Sequence, residues 1–562
     1  MQKTLATRAS RDTWLFWILA LLVLGAGLGL RDPWPADEPR FALAARQMVE
    51  SGQWLFPHRG AELYSDKPPM LMWLQAATYT LIGNWRVAFL LPSLLAALGT
   101  LWCVVDLGTR LWTRKVGLYA GWALLFTLQF VYQAKKAQID PLVTFWITLA
   151  NYGLLRHFLC TRDDRAGDWR MWMLGWFAAG LGTITKGVGV LALLMLVPAL
   201  FAAMRGWRGI RVPVRDVRVL LGPLAFLVAV SLWLAPMLMA ALSGPDPAYH
   251  AYLDDILFHQ TAGRYSHSWD HPQPPWYFLG MMLTIWLPPL LALPWALPAW
   301  KRRLQRHDAR YLLPLAWWAL IVLFFSIPGG KRDVYIMPAL PMMCVALAPL
   351  LPGIVRKLWA QRLAFGFAAG LTLAMLGVGI AMLSGSPKFE QTLIVERGLS
   401  VAQAHAGAWL LIAIAAWGAG CLFWFGRRRA PLGLVSLLTG LWVLYGLVAY
   451  PLLNDSSSAR GLMLQAGHAI GPNAELGLVA WKEQNLLMAD RPAITFGFVT
   501  PWPQQFQRAI AWQAQAPARR WLMVQGVALP ACVDRTRSRP VGLANRREWW
   551  LLQSDAVVNC VH

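Results

Sequence analysis

With 562 residues, 57 % of them apolar and only 14 % charged, the chain is too apolar for a string of soluble domains. A formal charge of +23 on one soluble face would point to nucleic acid, but here Lys and Arg come in short bursts between long apolar runs. That spacing excludes a nucleic-acid partner as the reason for the charge and makes it a topology signal, the cation excess of cytoplasmic loops.

The first apolar run, 14–30, follows Lys3, Arg8 and Arg11 and is longer than the hydrophobic core of a signal peptide, with no small-residue cleavage site. It predicts an uncleaved first span. A few residues later comes Asp37-Glu38-Pro39-Arg40-Phe41, a charged cluster at a membrane mouth. As a helix start it needs no function, since acids favour the first turn and Pro suits it. Ionisable residues beside a span are otherwise solvated, paired or functional. Tyr64-Ser65-Asp66-Lys67-Pro68-Pro69 then opens a run, 68–82, that Gln75 and Thr78 interrupt; it predicts a helix lying along the interface.

Basic clusters at Arg110 to Lys115, Arg156 to Arg170, Arg205 to Arg218, Lys301 to Arg310, Arg356 to Arg362 and Arg427 to Arg429 set the parity. If all face the cytoplasm, an even number of crossings separates neighbours. Spans are then expected at 14–30, 87–107, 116–133, 142–159, 171–185, 188–204, 219–242, 276–298, 311–327, 333–352, 362–384, 407–426 and 431–450. The fold class is a polytopic α-helical membrane protein of about 13 transmembrane helices, with interfacial helices in the first outward loop. A small C-terminal α/β domain follows, outside the membrane on the far side from the cytoplasm. The expected division is 1–453 for the membrane part and 454–562 for the tail, with Asn454 to Ser458 as linker. Strands are expected at 476–481, 493–498 and 521–527.

The six cysteines show no metal-ligand spacing. Cys532 and Cys560 can pair if the tail lies in an oxidising compartment. No P-loop is present, which argues against an ATP-driven transporter.

The outward set carries the residues suited to chemistry. Asp140, before Pro141, reads equally as a helix start and as a second acid beside Asp37. In Pro328-Gly329-Gly330-Lys331-Arg332-Asp333-Val334-Tyr335, two adjacent cations lie where positive charge is disfavoured, and with flexible glycines they suit an oxyanion. Lys67 lies at the depth of a lipid phosphate. The loop 246–275 offers His250, His259, Arg264, His267 and His271, whose spacings match no strong metal template. A divalent metal stays open and no cofactor is required.

Together, Asp37-Glu38-Pro39-Arg40-Phe41, Tyr64-x-x-Lys67-Pro68, Asp140-Pro141 with Phe145-Trp146, Thr185-Lys186-Gly187, Arg264-Tyr265 with His271, and Lys331 with Tyr335 and Pro338 form an ordered set over 37–340. This set resembles the multi-spanning C-type glycosyltransferases that use polyprenyl-phosphate sugars, among them the bacterial lipid A 4-amino-4-deoxy-L-arabinose transferases. Two departures are Phe41, where Tyr is common, and Arg332 as an added cation. The resemblance implies an undecaprenyl-phosphate-linked sugar donor, a lipid A phosphate acceptor and a periplasmic site at the bacterial inner membrane. It implies catalytic roles for Asp37 and Asp140 and substrate contacts from Arg40, Tyr64, Lys67, Arg264, Lys331, Arg332 and Tyr335. The competing readings are transfer of another sugar to a hydroxyl, a lipid flippase, and a structural membrane subunit. A flippase predicts charges near the midplane or inverted repeats, and a structural subunit predicts indifference to neutralising Asp37.

Overall fold

The computed structural model describes residues 2–159, 167–213, 215–244, 247–257, 272–385, 394, 396 and 398–557, with side chains from residue 11 onward. Helix α1 (Gln2–Gly25) stops short of the predicted end of the first span, because Gly27 and Gly29 take positive φ and turn the chain. A Cβ on Gly27 would sit 2.5 Å from the Gly446 carbonyl oxygen, so α1's exit meets the last long apolar helix backbone to backbone.

After α1, the chain between residues 31 and 84 folds into α2 (Glu38–Ser51), a two-stranded hairpin of β1 (His58–Arg59) and β2 (Glu62–Leu63), and α3 (Met70–Ile82). Helix α2 buries Phe41, Ala44, Ala45 and Met48 against Met70, Leu71, Met72 and Ala76 of α3. With 13 residues, α3 reaches only about 20 Å, too short for a hydrocarbon core of about 30 Å.

Helices α4 (Leu91–Leu111), α5 (Arg114–Leu125), α6 (Leu128–Ala134), α7 (Ile139–Leu159) and α8 (Trp169–Thr183) continue the membrane part. Among the described residues, seven helical stretches are long and apolar enough to cross: Trp85–Leu111, Gly187–Met204, Val217–Ser243, Ala309–Ser326, Leu358–Leu383, Val401–Phe425 and Arg427–Ser458. The pair Tyr277–Ile285 and Pro289–Gln305 adds an eighth if its 98° bend is one broken span. The other expected spans coincide with helices that are shorter, broken or more polar. The stretch 116–133 divides between α5 and α6 at Phe126 and Thr127, and α7 carries buried Asp140, Thr144, Thr148 and Asn151. The helices share one core, in which Leu101, Leu124, Leu155, Met195, Trp317 and Met343 are buried.

The tail holds a five-stranded sheet of β3 (Glu475–Val479), β4 (Ala493–Thr495), β5 (Arg520–Gln525), β6 (Arg539–Ala544) and β7 (Arg547–Leu552) in the order β4-β3-β5-β7-β6. Strands β4, β3 and β5 run parallel, with helix Trp502–Ala514 between β4 and β5 in sequence, and β7 and β6 run antiparallel. Asn454 to Ser458, expected as a linker, belong to the helix Tyr450–Ser458, and Asn454 is buried. The sheet is seated on α2: Leu476, Trp481, Met523 and Trp549 share a core with Ala42 and Leu43.

Candidate active site

Asp37 stands at the position preceding α2 but makes no capping hydrogen bond. Its carboxylate turns instead to long-range partners: Arg332 Nη2 donates to Oδ2 at 3.0 Å and Gln138 Nε2 donates to the same oxygen at 3.1 Å. The cluster does begin a helix, with Glu38 and Pro39 in its first turn, but Asp37 itself is not used to cap it. Burial by itself raises the Asp37 pKa, but Arg332, with Arg40 and Lys186 behind it, more than reverses this and holds the carboxyl below its ordinary range.

Asp140 lies in the first turn of α7 and is buried. Lys186 Nζ donates to its Oδ1 at 2.7 Å and lies 4.9 Å from the ring centre of Tyr335. Lys186 occupies the turn after α8, where a lone cation between two apolar helices needs an acid partner. Acids and cations from four separate parts of the chain thus meet: Asp37 before α2, Gln138 and Asp140 at α7, Lys186 after α8, and Arg332 with Tyr335 in the 328–339 loop.

Lys331 and Arg332 part company. Lys331 is buried, and its Nζ donates to the carbonyl oxygens of Gln273 and Pro328, closing the loop rather than facing Asp37. Arg332 has extended backbone, φ −124° and ψ 145°, and successive side chains on extended backbone point to opposite sides. Of the two cations expected here, it is Arg332 that reaches the acid.

Arg40, in the first turn of α2, faces the tail: its Nε donates to Glu483 Oε1 at 3.2 Å, and its Nη1 lies 4.0 Å from Asp66 Oδ2. Arg59 on β1 places Nη1 3.8 Å from both Asp66 and Glu483 and stacks on Phe498 at 3.8 Å. Glu62 on β2 accepts from the Phe498 backbone at 3.0 Å. Tyr64 is fully buried beside this cluster, which pushes its hydroxyl pKa up and keeps it neutral. Lys67 Nζ donates to the Asp66 carbonyl oxygen at 2.8 Å, just ahead of α3. The tail is therefore part of the wall behind α2, and Glu483, Arg59 and Gln138 join the residues anticipated from sequence, while Lys186, marked only as part of the Thr185-Lys186-Gly187 motif, gains a place at the site. Glu483, more than 440 positions from Arg40, carries no local signal that could have paired them.

Arg264 lies outside the described residues, as do His259, His267 and His271. Among the described residues, no group of three or more His, Cys, Asp or Glu side chains is placed to hold a metal ion. Cys532 is disulfide-bonded, whereas Cys560 lies outside the described residues.

The arrangement puts a partly buried, ionised carboxylate within a ring of cations, next to a second acid and a tyrosine. Such a site can stabilise both a developing positive carbon and a departing anion.

Residues 66–234 match the family model described as dolichyl-phosphate-mannose-protein mannosyltransferase. The undecaprenyl phosphate-alpha-4-amino-4-deoxy-L-arabinose arabinosyl transferase of Pectobacterium carotovorum subsp. carotovorum is 31 % identical over 66 % of this chain and 65 % of its own length. The protein of the same name from Pectobacterium atrosepticum is 30 % identical over 67 % of this chain and 66 % of its own length. The chain thus spans just under two thirds of these relatives. The crystal structure of ArnT from Cupriavidus metallidurans bound to undecaprenyl phosphate superposes with a TM-score of 0.72 at 19 % identity, covering 96 % of this chain and 97 % of that one. Its apo form gives 0.73 at 20 % identity, over 98 % and 99 %. With the ordered motifs and these relatives, the chain belongs to the multi-spanning, C-type glycosyltransferases, and the shared fold agrees.

Proposed function

We propose that the protein is a glycosyltransferase that moves 4-amino-4-deoxy-L-arabinose from undecaprenyl phosphate to a phosphate of lipid A. The transfer takes place at the periplasmic face of the bacterial inner membrane. The observation that carries this reading is the position of Asp37, which forgoes its capping bond and sits between Arg332 and Gln138 in the field of Arg40 and Lys186. The names of the relatives supply the sugar and the carrier. A disulfide-bonded Cys532 in the tail supports an oxidising compartment on that side.

In the reaction the bond between the anomeric carbon and the carrier phosphate breaks, and its electron pair leaves with the phosphate. A new bond forms from an oxygen of the acceptor phosphate to the same carbon. Arg332, Lys186 and Lys67 offset the charge that builds on the leaving group, and Asp37 faces the positive carbon, with Asp140 holding Lys186 in place. An acid held below its ordinary pKa is a poor proton acceptor. That favours an acceptor already ionised, such as a phosphate, over a sugar or protein hydroxyl, which would need a base.

The test is incubation of the purified protein with undecaprenyl-phosphate aminoarabinose and lipid A, read by mass spectrometry. Lipid A is expected to gain the aminopentose, and Lys67→Ala to lose most of that gain while remaining folded. No product from the wild-type protein, alongside transfer of a different sugar or to a hydroxyl acceptor, overturns the assignment.

The depressed pKa makes a second prediction. Asp37 contributes stability and activity above the ordinary carboxylate range, and both fall as pH drops through its lowered folded value. Arg332→Gln removes the largest stabilising charge, so the acid limb of kcat/KM is expected to move to higher pH. An unmoved limb in a folded variant would show that Arg332 does not set the ionisation of Asp37.

A further inference from the structure

Behind Glu38, on the side of α2 away from Arg40, lies a cavity of about 740 Å³ enclosed by the 31–38 segment, the 132–138 connection, the helix 445–457 and the tail. Four basic side chains line it, Arg31, Lys135, Lys136 and Arg546, against one acid, Glu38, which Arg31 already engages. Four aromatic rings, Trp34, Tyr132, Tyr445 and Tyr450, form its apolar walls. The tail closes it with the β6–β7 turn, where Asn545 and Arg546 both take positive φ, 52° and 63°, as a tight hairpin turn requires.

Lys136 is held only by the face of Tyr132, 3.8 Å from its Nζ, and Arg546 by a surface pair with Glu396 at 3.2 Å. An anion can recruit both cations without breaking a buried bond. Gln138 is the wall shared with the candidate active site, since its Nε2 donates to Asp37.

We propose that this cavity is the acceptor site, and that it takes the phosphorylated sugar headgroup of a glycolipid, with Lys136 and Arg546 on the phosphate and the aromatic rings against the sugar faces. The proposal rests on the transferase reading above and adds to it where the second substrate enters. The acceptor then approaches Asp37 from the Gln138 side and the carrier phosphate from the Arg332 side, so that bond making and bond breaking occur on opposite faces of the anomeric carbon.

The test uses the full chain in neutral phosphatidylcholine nanodiscs, with bisphosphorylated lipid A, lipid A stripped of phosphate, inorganic phosphate and undecaprenyl phosphate as probes. In the Lys136→Gln/Arg546→Gln variant, binding of bisphosphorylated lipid A and the acceptor KM are each expected to weaken by about tenfold or more, while undecaprenyl phosphate binding changes by less than about twofold. The wild type is expected to bind the stripped lipid as poorly as the variant binds the intact one. Arg546→Gln alone, at an exposed position, gives a smaller loss in the same direction and serves if the double variant unfolds. Displacement of lipid A by inorganic phosphate at comparable concentration overturns the headgroup assignment and leaves a simple phosphate site. Unchanged lipid A affinity, or an equal loss for undecaprenyl phosphate, overturns the acceptor site. If the wild type binds lipid A through its phosphates yet transfers nothing to it, the transferase reading fails and the cavity assignment stands. Transfer with an unchanged acceptor KM in the variant is the reverse case.

Discussion

Asp37→Asn is expected to abolish sugar transfer, with a fall in turnover of about a thousandfold or more, while the protein stays folded. The fold is spared because the carboxylate caps nothing: α2 begins without a bond from it, and both of its hydrogen bonds run to residues that converge only at the site. The chemistry is not spared. An amide retains an oxygen for Arg332 or Gln138 but brings no charge to a carbon becoming positive, and it leaves Arg332, Arg40 and Lys186 without the anion they surround. The measurement is lipid A mass spectrometry beside a thermal melt of the purified variant. Full modification by a folded Asp37→Asn protein would remove the assignment of this carboxylate to catalysis.

The largest effect on stability is expected one residue later. The Glu38 carboxylate accepts from both Nη atoms of Arg31, the second at 2.7 Å, from the Trp34 backbone at 2.7 Å and from the Ala137 backbone at 2.9 Å. Arg31 is 1 % exposed, and its guanidinium carbon lies 4.8 Å from the ring centres of both Trp34 and Tyr450. Removing one partner of such a pair leaves an uncompensated buried charge, at about 3–5 kcal/mol. Glu38→Ala should therefore lower the melting temperature strongly and reduce transfer as well, because the lost bonds fix the entry to α2 and Ala137, the residue before Gln138. Pairing it with Arg31→Leu should recover only part of the loss, since the Trp34 and Ala137 N–H groups stay unsatisfied. A melt of Glu38→Ala within a degree or so of wild type would show that the pair does not hold this corner together.

Much of the membrane part was legible because its signals are local. Apolar runs and basic clusters lie side by side in sequence, and Asp37, Asp140 and the 328–335 loop stand out as charges at run ends. The tail's parallel strands were legible for the same reason, at Glu475–Val479, Ala493–Thr495 and Arg520–Gln525. The antiparallel β6–β7 hairpin was not, because its turn uses Asn545 and Arg546 in place of a glycine-bearing pair that would mark it. At the site, sequence could name Lys331 and Arg332 but not choose between them, since the choice depends on which way an extended backbone alternates. Gln138 looked like an ordinary polar residue until its amide reached Asp37. The Arg40–Glu483 contact joins α2 to a domain folded from the other end of the chain, and no pattern of spacing anticipates it.

The unused capping position ahead of α2 has a consequence for protein engineering. Residue 37 has helical backbone, φ −99° and ψ −33°, not the extended conformation from which a capping side chain reaches the N–H groups ahead of it. Ser, Thr or Asn placed there would form no cap and would give up the pairing with Arg332. A helix-capping library aimed at this position should therefore return no gain in heat tolerance.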